Sequence, residues 1–151
     1  MQPARNKDEE EFRKLNYEMR FLESTAETLQ SRINMVNAGL TDLTYANLSL
    51  EGIETEKENT ELLVPIGGGS YIRAKLTNPD KVIISLGSGI STEKTLPEAK
   101  SIIKERIDEL EKTRNSVQQQ FNQIAERINT SRTRMQSLLT VLQEGKTPSN
   151  V

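Results

Sequence analysis

The sequence predicts an α+β chain: a long antiparallel α-helical coiled-coil hairpin with two β-hairpins between its helices. Three observations point there. Apolar residues recur at alternating steps of three and four towards each end, the two stripes match in length, and the segment between them breaks into short apolar runs punctuated by glycine. Composition agrees. Only 34% of the 151 residues are hydrophobic and 4% aromatic, against 28% charged, whereas a compact globule is nearer half apolar. Such a ratio fills a thin core.

The first element rests on Phe12, Leu15, Met19, Leu22, Ala26, Leu29, Ile33, Val36, Leu40, Leu43, Asn47 and Leu50, which follow one another by threes and fours. That spacing draws one narrow stripe along a helix, and the helix must supercoil left-handedly to keep the stripe on a partner. A helix is expected over about 8–58, with the acidic run Asp8-Glu9-Glu10-Glu11 in its first turn, where negative charge suits the helix dipole.

The middle element, residues 61–94, reads as four short strands. Glu61–Ile66 is followed by Gly67-Gly68-Gly69, Ser70–Thr77 by Asn78-Pro79-Asp80, and Lys81–Leu86 by Gly87-Ser88-Gly89, after which Ile90 begins a run to about Lys94. Short β-rich runs separated by such turn residues are the mark of successive hairpins. Ile72, Ala74 and Leu76 share one face and Val82, Ile84 and Leu86 another, because side chains alternate along a strand.

The last element repeats the first. Ile103, Ile107, Leu110, Arg114, Val117, Phe121, Ile124, Ile128, Ser131, Met135, Leu138 and Leu142 keep the same spacing. Thr95 and Glu98 have the spacing of a capping box, with Pro97 in the first turn, where its missing N–H does no harm. A helix is expected over 95–144. Gly145 and Pro148 mark its end and 145–151 form a flexible tail. Each stripe covers about 39 residues, or roughly 58 Å of helix, so the chain is read as a single domain folded back on itself.

Polar residues interrupt the stripes at Asn47, Arg114 and Ser131, which costs stability and can fix register. Gly39 inside the first helix costs about 1 kcal/mol relative to Ala. An antiparallel pairing places Arg114 opposite residues 36–43, so Gly39 is expected to make room for the Arg114 stem.

Four short strands do not stand alone in water, and their edges are open to pairing. Leu62, Val64, Ile66, Ile72, Leu76, Val82, Ile84 and Leu86 are too apolar for a solvated connector, so they are expected to build a β-body shared by several chains. At the helix ends, Phe12, Leu15, Met19, Met135, Leu138, Leu139 and Leu142 lie where fraying exposes them part of the time. Flexible Met and Leu side chains make a surface that tolerates many partner shapes.

Several classes are excluded. A net charge of −2 with mixed signs lacks the basic stripe of a nucleic-acid binder. Without Cys or His there is no disulfide and no zinc site of the Cys/His kind. No apolar run reaches the roughly 18 residues of a membrane span. The first residues lack the apolar core of a secretory leader, so a cytoplasmic location is expected. The glycine clusters lack the Gly-Lys-Ser/Thr ending of a phosphate loop and read as hairpin turns. Glu54, Glu56, Glu58 and Glu61 read as a solvated charge run. No catalytic residue, cofactor or metal is expected.

Helix, two β-hairpins and helix in about 150 residues resembles the prefoldin alpha subunits, most nearly the archaeal ones. The likeness covers nearly the whole chain and is sharpest from Leu62 through Gly67-Gly68-Gly69 to Ile72, and from Val82 through Gly87-Ser88-Gly89 to Ile90. The resemblance implies a hexamer of two alpha and four beta subunits whose hairpins form an intersubunit β-barrel body. It also implies an ATP-independent chaperone that captures unfolded proteins at the coiled-coil tips, here about Met1–Arg20 and Met135–Val151, and delivers them to a group II chaperonin. A reading from another class is a structural coiled-coil adaptor that binds one defined protein.

Overall fold

The computed structural model describes residues 3–146. In chain order it has helix α1 (Pro3–Glu54), strands β1 (Glu61–Gly67), β2 (Ser70–Lys75), β3 (Lys81–Gly87) and β4 (Ile90–Thr95), and helix α2 (Leu96–Glu144). This is the α+β order read from the sequence. Pro148 and the rest of 147–151 lie outside the described residues.

Both ends of α1 differ from the expected 8–58. The helix already includes Pro3, the first described residue. The acidic run Asp8–Glu11 therefore lies beyond the first turn, which holds no acidic residue, and past the short reach of the dipole. The other end stops early because the hairpin captures the chain that follows. Asn59, at φ +66°, donates its N–H to the Leu76 carbonyl at 2.7 Å, and the Leu76 N–H donates to Thr60 at 2.9 Å. At the start of α2 the expected capping box forms. The Glu98 N–H donates to Thr95 Oγ1 at 3.3 Å and the Thr95 N–H to the Glu98 carboxylate at 3.2 Å.

The strands make two separate antiparallel pairs, β1–β2 and β3–β4. Their turns are alike. Gly68 and Gly69 in one, and Ser88 and Gly89 in the other, all have positive φ, as a two-residue turn matched to strand twist requires. Each pair carries one irregularity beside its turn, between Pro65 and Gly67 and between Ser85 and Gly87.

The chain divides into two compact units. The helix-only unit comprises Met1–Val36 with Thr113–Val151. There the helices run antiparallel, as ion pairs Glu18–Arg127 and Glu11–Arg134 require. Leu29, Ile33 and Val117 form a core joined by Phe121 and Ile124. Leu22 is only 1% exposed, and the polar seam residue Ser131 is buried as well.

The strand-bearing unit is Asn37–Lys112. Its core is Leu50, Ile84, Leu96, Ala99 and Ile103, with Leu43, Ala46, Ile53, Val82, Ile102 and Ile107 against it. Here too the helix segments are antiparallel, with Lys100 Nζ 2.6 Å from the Glu54 carboxylate. Gly39 does not make room for Arg114. A Cβ added at Gly39 would stand 3.0 Å from Leu110 Cδ2, so the missing methyl admits an apolar neighbour, which fills the seam without taking a charge out of water.

Candidate functional site

Two apolar surfaces lie open to water. The first is on the strands. In the β1–β2 ladder Leu62 pairs with Ala74 and Val64 with Ile72, while Leu63 pairs with Arg73 and Pro65 with Tyr71. Leu62, Val64, Ile72 and Ala74 thus share one face, and Leu63, Pro65, Tyr71 and Arg73 the other. Val64, Ile66 and Ile72 are exposed, as are Leu63 and Tyr71 on the reverse face. Leu62 and Leu76 are half-buried. One face of this hairpin is therefore apolar, the other mixes Leu63, Pro65 and Tyr71 with Glu61, Arg73 and Lys75, and none of its residues enters the core of the unit.

The β3–β4 hairpin is used differently. Ile84 is only 7% exposed and belongs to the unit's own core, with half-buried Val82 beside it. Of the eight assembly candidates, Ile84 is therefore turned inward, because α1 and α2 offer Leu50, Leu96 and Ile103 as a closer partner. Arg106 holds the same strand by donating from Nη2 to the Ser85 carbonyl at 2.6 Å. Leu86 stays exposed, and on the reverse face Ile83 is 77% exposed, with Ile90 at the turn also open.

The second surface is in the helix-only unit. Phe12, Leu15, Met135 and Leu142 are half-buried between the helices. Met19 and Leu138 are buried, so these two serve as seam layers and are not open to a ligand. Leu139 alone of the seven candidates is exposed. Arg134 clamps Glu11 with two hydrogen bonds, Nε to Oε1 at 2.7 Å and Nη2 to Oε2 at 2.9 Å. These bonds hold the Glu11 carboxyl below its ordinary value and raise the Arg134 guanidinium above its own. Arg127 reaches Glu18 at 2.6 Å, one heptad away. The two pairs staple the helices beside Phe12 and Leu15.

Sequence reasoning missed Leu63, Tyr71, Ile83 and Ile90 on the strands, and Tyr17, Phe21 and Val141 on the helices, all exposed. A signal existed for the first group. Leu62 to Ile66 is an unbroken apolar run, which marks a strand covered on both faces. Tyr17 and Phe21 lie off the three-four stripe, and a search along the stripe passes over them.

What these surfaces can do is associate, by burying apolar area at about 25 cal/mol per Å². Among the described residues no group of three or more Asp, Glu, His or Cys side chains is placed to hold a metal ion. Nor is any helix there long and apolar enough to cross a membrane.

Comparison with known proteins gives a consistent answer. The family model for prefoldin subunits matches residues 22–140. The prefoldin subunit alpha of Methanococcoides burtonii is 32% identical over 120 residues, which are 80% of this chain and 87% of that protein. The prefoldin subunit alpha of Methanosarcina barkeri is 36% identical over 107 residues, covering 69% and 74% respectively. Among solved structures, the filamentous PFD of Methanocaldococcus jannaschii, determined by cryo-EM, superposes with a TM-score of 0.66 at 27% identity. That match covers 76% of this chain and 95% of the other.

Proposed function

The chain belongs to the prefoldin family, and from that premise we propose that it is the alpha subunit of a cytoplasmic, ATP-independent chaperone that captures non-native proteins and delivers them to a group II chaperonin. The observation that carries the reading is that apolar side chains are open to water in both units. On the strands they serve assembly. The β1–β2 hairpin, with apolar side chains exposed on both faces, takes its covering from beta subunits in a hexamer of two alpha and four beta chains, with the hairpins closing into β-barrels. In the helix-only unit exposed Leu139 and half-buried Phe12, Leu15, Met135 and Leu142 at the helix ends serve capture as contacts for unfolded chains. Met19 and Leu138 join them only when the ends part.

The experiment is aggregation of several unrelated, chemically denatured proteins in the presence of the chain assembled with a beta subunit and no nucleotide. Suppression of all of them is expected. Failure to suppress any, with tight binding of one native protein, would identify an adaptor instead. Removing about twenty residues from each end sharpens the test: the complex should keep its mass and lose its holding activity.

A further inference from the structure

In the helix-only unit the two sides of the seam are closed differently. On one side, the residues of α1 that precede the stripe members Phe12, Met19 and Ala26 are Glu11, Glu18 and Thr25, all half-buried. Arg134 and Arg127, which precede Met135 and Ile128 on α2, reach across to the first two. On the other side, the residues that follow Leu15, Leu22 and Leu29 are Asn16, Glu23 and Gln30, all exposed. Arg132 and Leu139, which follow Ser131 and Leu138 on α2, are exposed as well. Positions just before one stripe member and just after the next lie on opposite flanks of a coiled-coil seam. Among the described residues neither Glu23 nor Arg132 makes an ion pair. One flank is stapled and the other is not.

Exposed ion pairs are weak singly, but the direction in which the helices part depends only on the difference between the flanks. Parting on the unstapled flank gives up apolar contacts. Parting on the stapled one also gives up the two-bond Glu11–Arg134 clamp and the Glu18–Arg127 pair. Between the flanks lie Met19 and Leu138, 7% and 2% exposed. Leu139, on the unstapled flank, is already open. Met135 four residues before it and Leu142 three after are its neighbours on the helix surface, so an apolar path leads from that flank into the seam. On the stapled flank the same path is crossed by charge. Val141, exposed on that side, lies beyond Arg134 and outside both staples.

We propose that the seam opens on its unstapled flank, hinged on the Glu11–Arg134 and Glu18–Arg127 pairs, and that an apolar segment of a non-native client enters there to reach Met19 and Leu138. The four paired residues are positioning residues, which set the side of opening without touching the client. Asn16 and Leu139 form the outer lip of the mouth, and Glu23 and Arg132 its inner end. The inference rests on the chaperone reading and adds to it the side from which the client enters and the groups that choose that side.

The chain has no cysteine, so an introduced pair can be bridged selectively by a short, reducible thiol-reactive linker before the full chain is assembled with its companion subunits. Glu23→Cys with Arg132→Cys bridges the unstapled flank, and Glu18→Cys with Arg127→Cys the stapled one, both beside Met19. The readout is aggregation of several unrelated denatured proteins. The first bridge should abolish suppression, and reducing the linker should restore it, since Glu23 and Arg132 are exposed and their loss leaves the core intact. The second bridge should leave suppression unchanged. Adding Glu11→Gln with Glu18→Gln to the first bridged chain frees the other flank, so suppression should return with the linker in place. The inference is overturned if the two bridges act alike, if only the second blocks suppression, or if the glutamine pair restores nothing. Any of these, with suppression by the unmodified complex intact, sinks this inference alone. Absence of suppression by the unmodified complex sinks the chaperone reading.

Discussion

The two hairpins are built alike and held differently. Each pairs seven residues with six, and each turns through two residues of positive φ beside a register shift. Yet β3–β4 gives Ile84 and Val82 to the core and is tied to α2 by Arg106, whereas β1–β2 gives the core nothing and leaves apolar side chains exposed on both faces. Local chemistry therefore sets the shape of a hairpin, and what covers its faces sets its stability. One hairpin is docked on the helices of its own unit, and the other is left undocked.

The largest effect expected from this difference is on assembly. Val64→Asp with Ile72→Asp puts two charges on a cross-strand pair that is exposed in the single chain. Association with companion subunits should fail, read as a fall in mass to that of the free chains, while the helical signal of the chain itself is kept. A complex of undiminished mass would show that β1–β2 is not the joint.

Inside the chain the order reverses. Ile84→Ala removes a buried side chain and should cost about 2–4 kcal/mol in denaturant unfolding of the isolated chain. The matched change Ile72→Ala should cost below about 1 kcal/mol, since its side chain already meets water. Equal losses at the two sites would erase the distinction between the hairpins. Arg106→Met is the milder probe of the same dock. It deletes a charged hydrogen bond to the Ser85 carbonyl and should lower stability by about 1 kcal/mol, measurable as a shift in the unfolding midpoint with an unchanged slope.

How much of this could be read in the chain depends on how local the cause is. The seam was legible because a three-four spacing follows from helix geometry whatever the partner, and the turns because positive φ selects glycine. Glu98 was legible three residues after Thr95 for the same reason. Which hairpin docks was not. Val82 and Ile84 look no different from Leu62 and Val64 in composition, and only the reach of α2 separates them. The neighbour of Gly39 was misjudged by one helical turn, Leu110 in place of Arg114, because the pairing sum of two long helices leaves that much latitude. Tyr17 and Phe21 were overlooked because they lie outside the stripe that explains the fold.

The smallest effect isolates the one position where the turns differ. Gly68 and Ser88 occupy the same place, with φ of +57° and +53°. An L side chain in that left-handed region is disfavoured by roughly 1–2 kcal/mol, and part of this is returned because serine has less backbone freedom to lose on folding than glycine. Ser88→Gly should therefore stabilise the isolated chain by about 0.5 kcal/mol, and Gly68→Ser should destabilise it by a similar amount. Because β1–β2 lacks a dock, the second change should also be felt locally, as faster amide exchange in β1 and β2 with no change in β3 and β4. Were exchange in both hairpins to rise together, the two would share one cooperative unit, and the contrast between a docked hairpin and an open one would have to be abandoned.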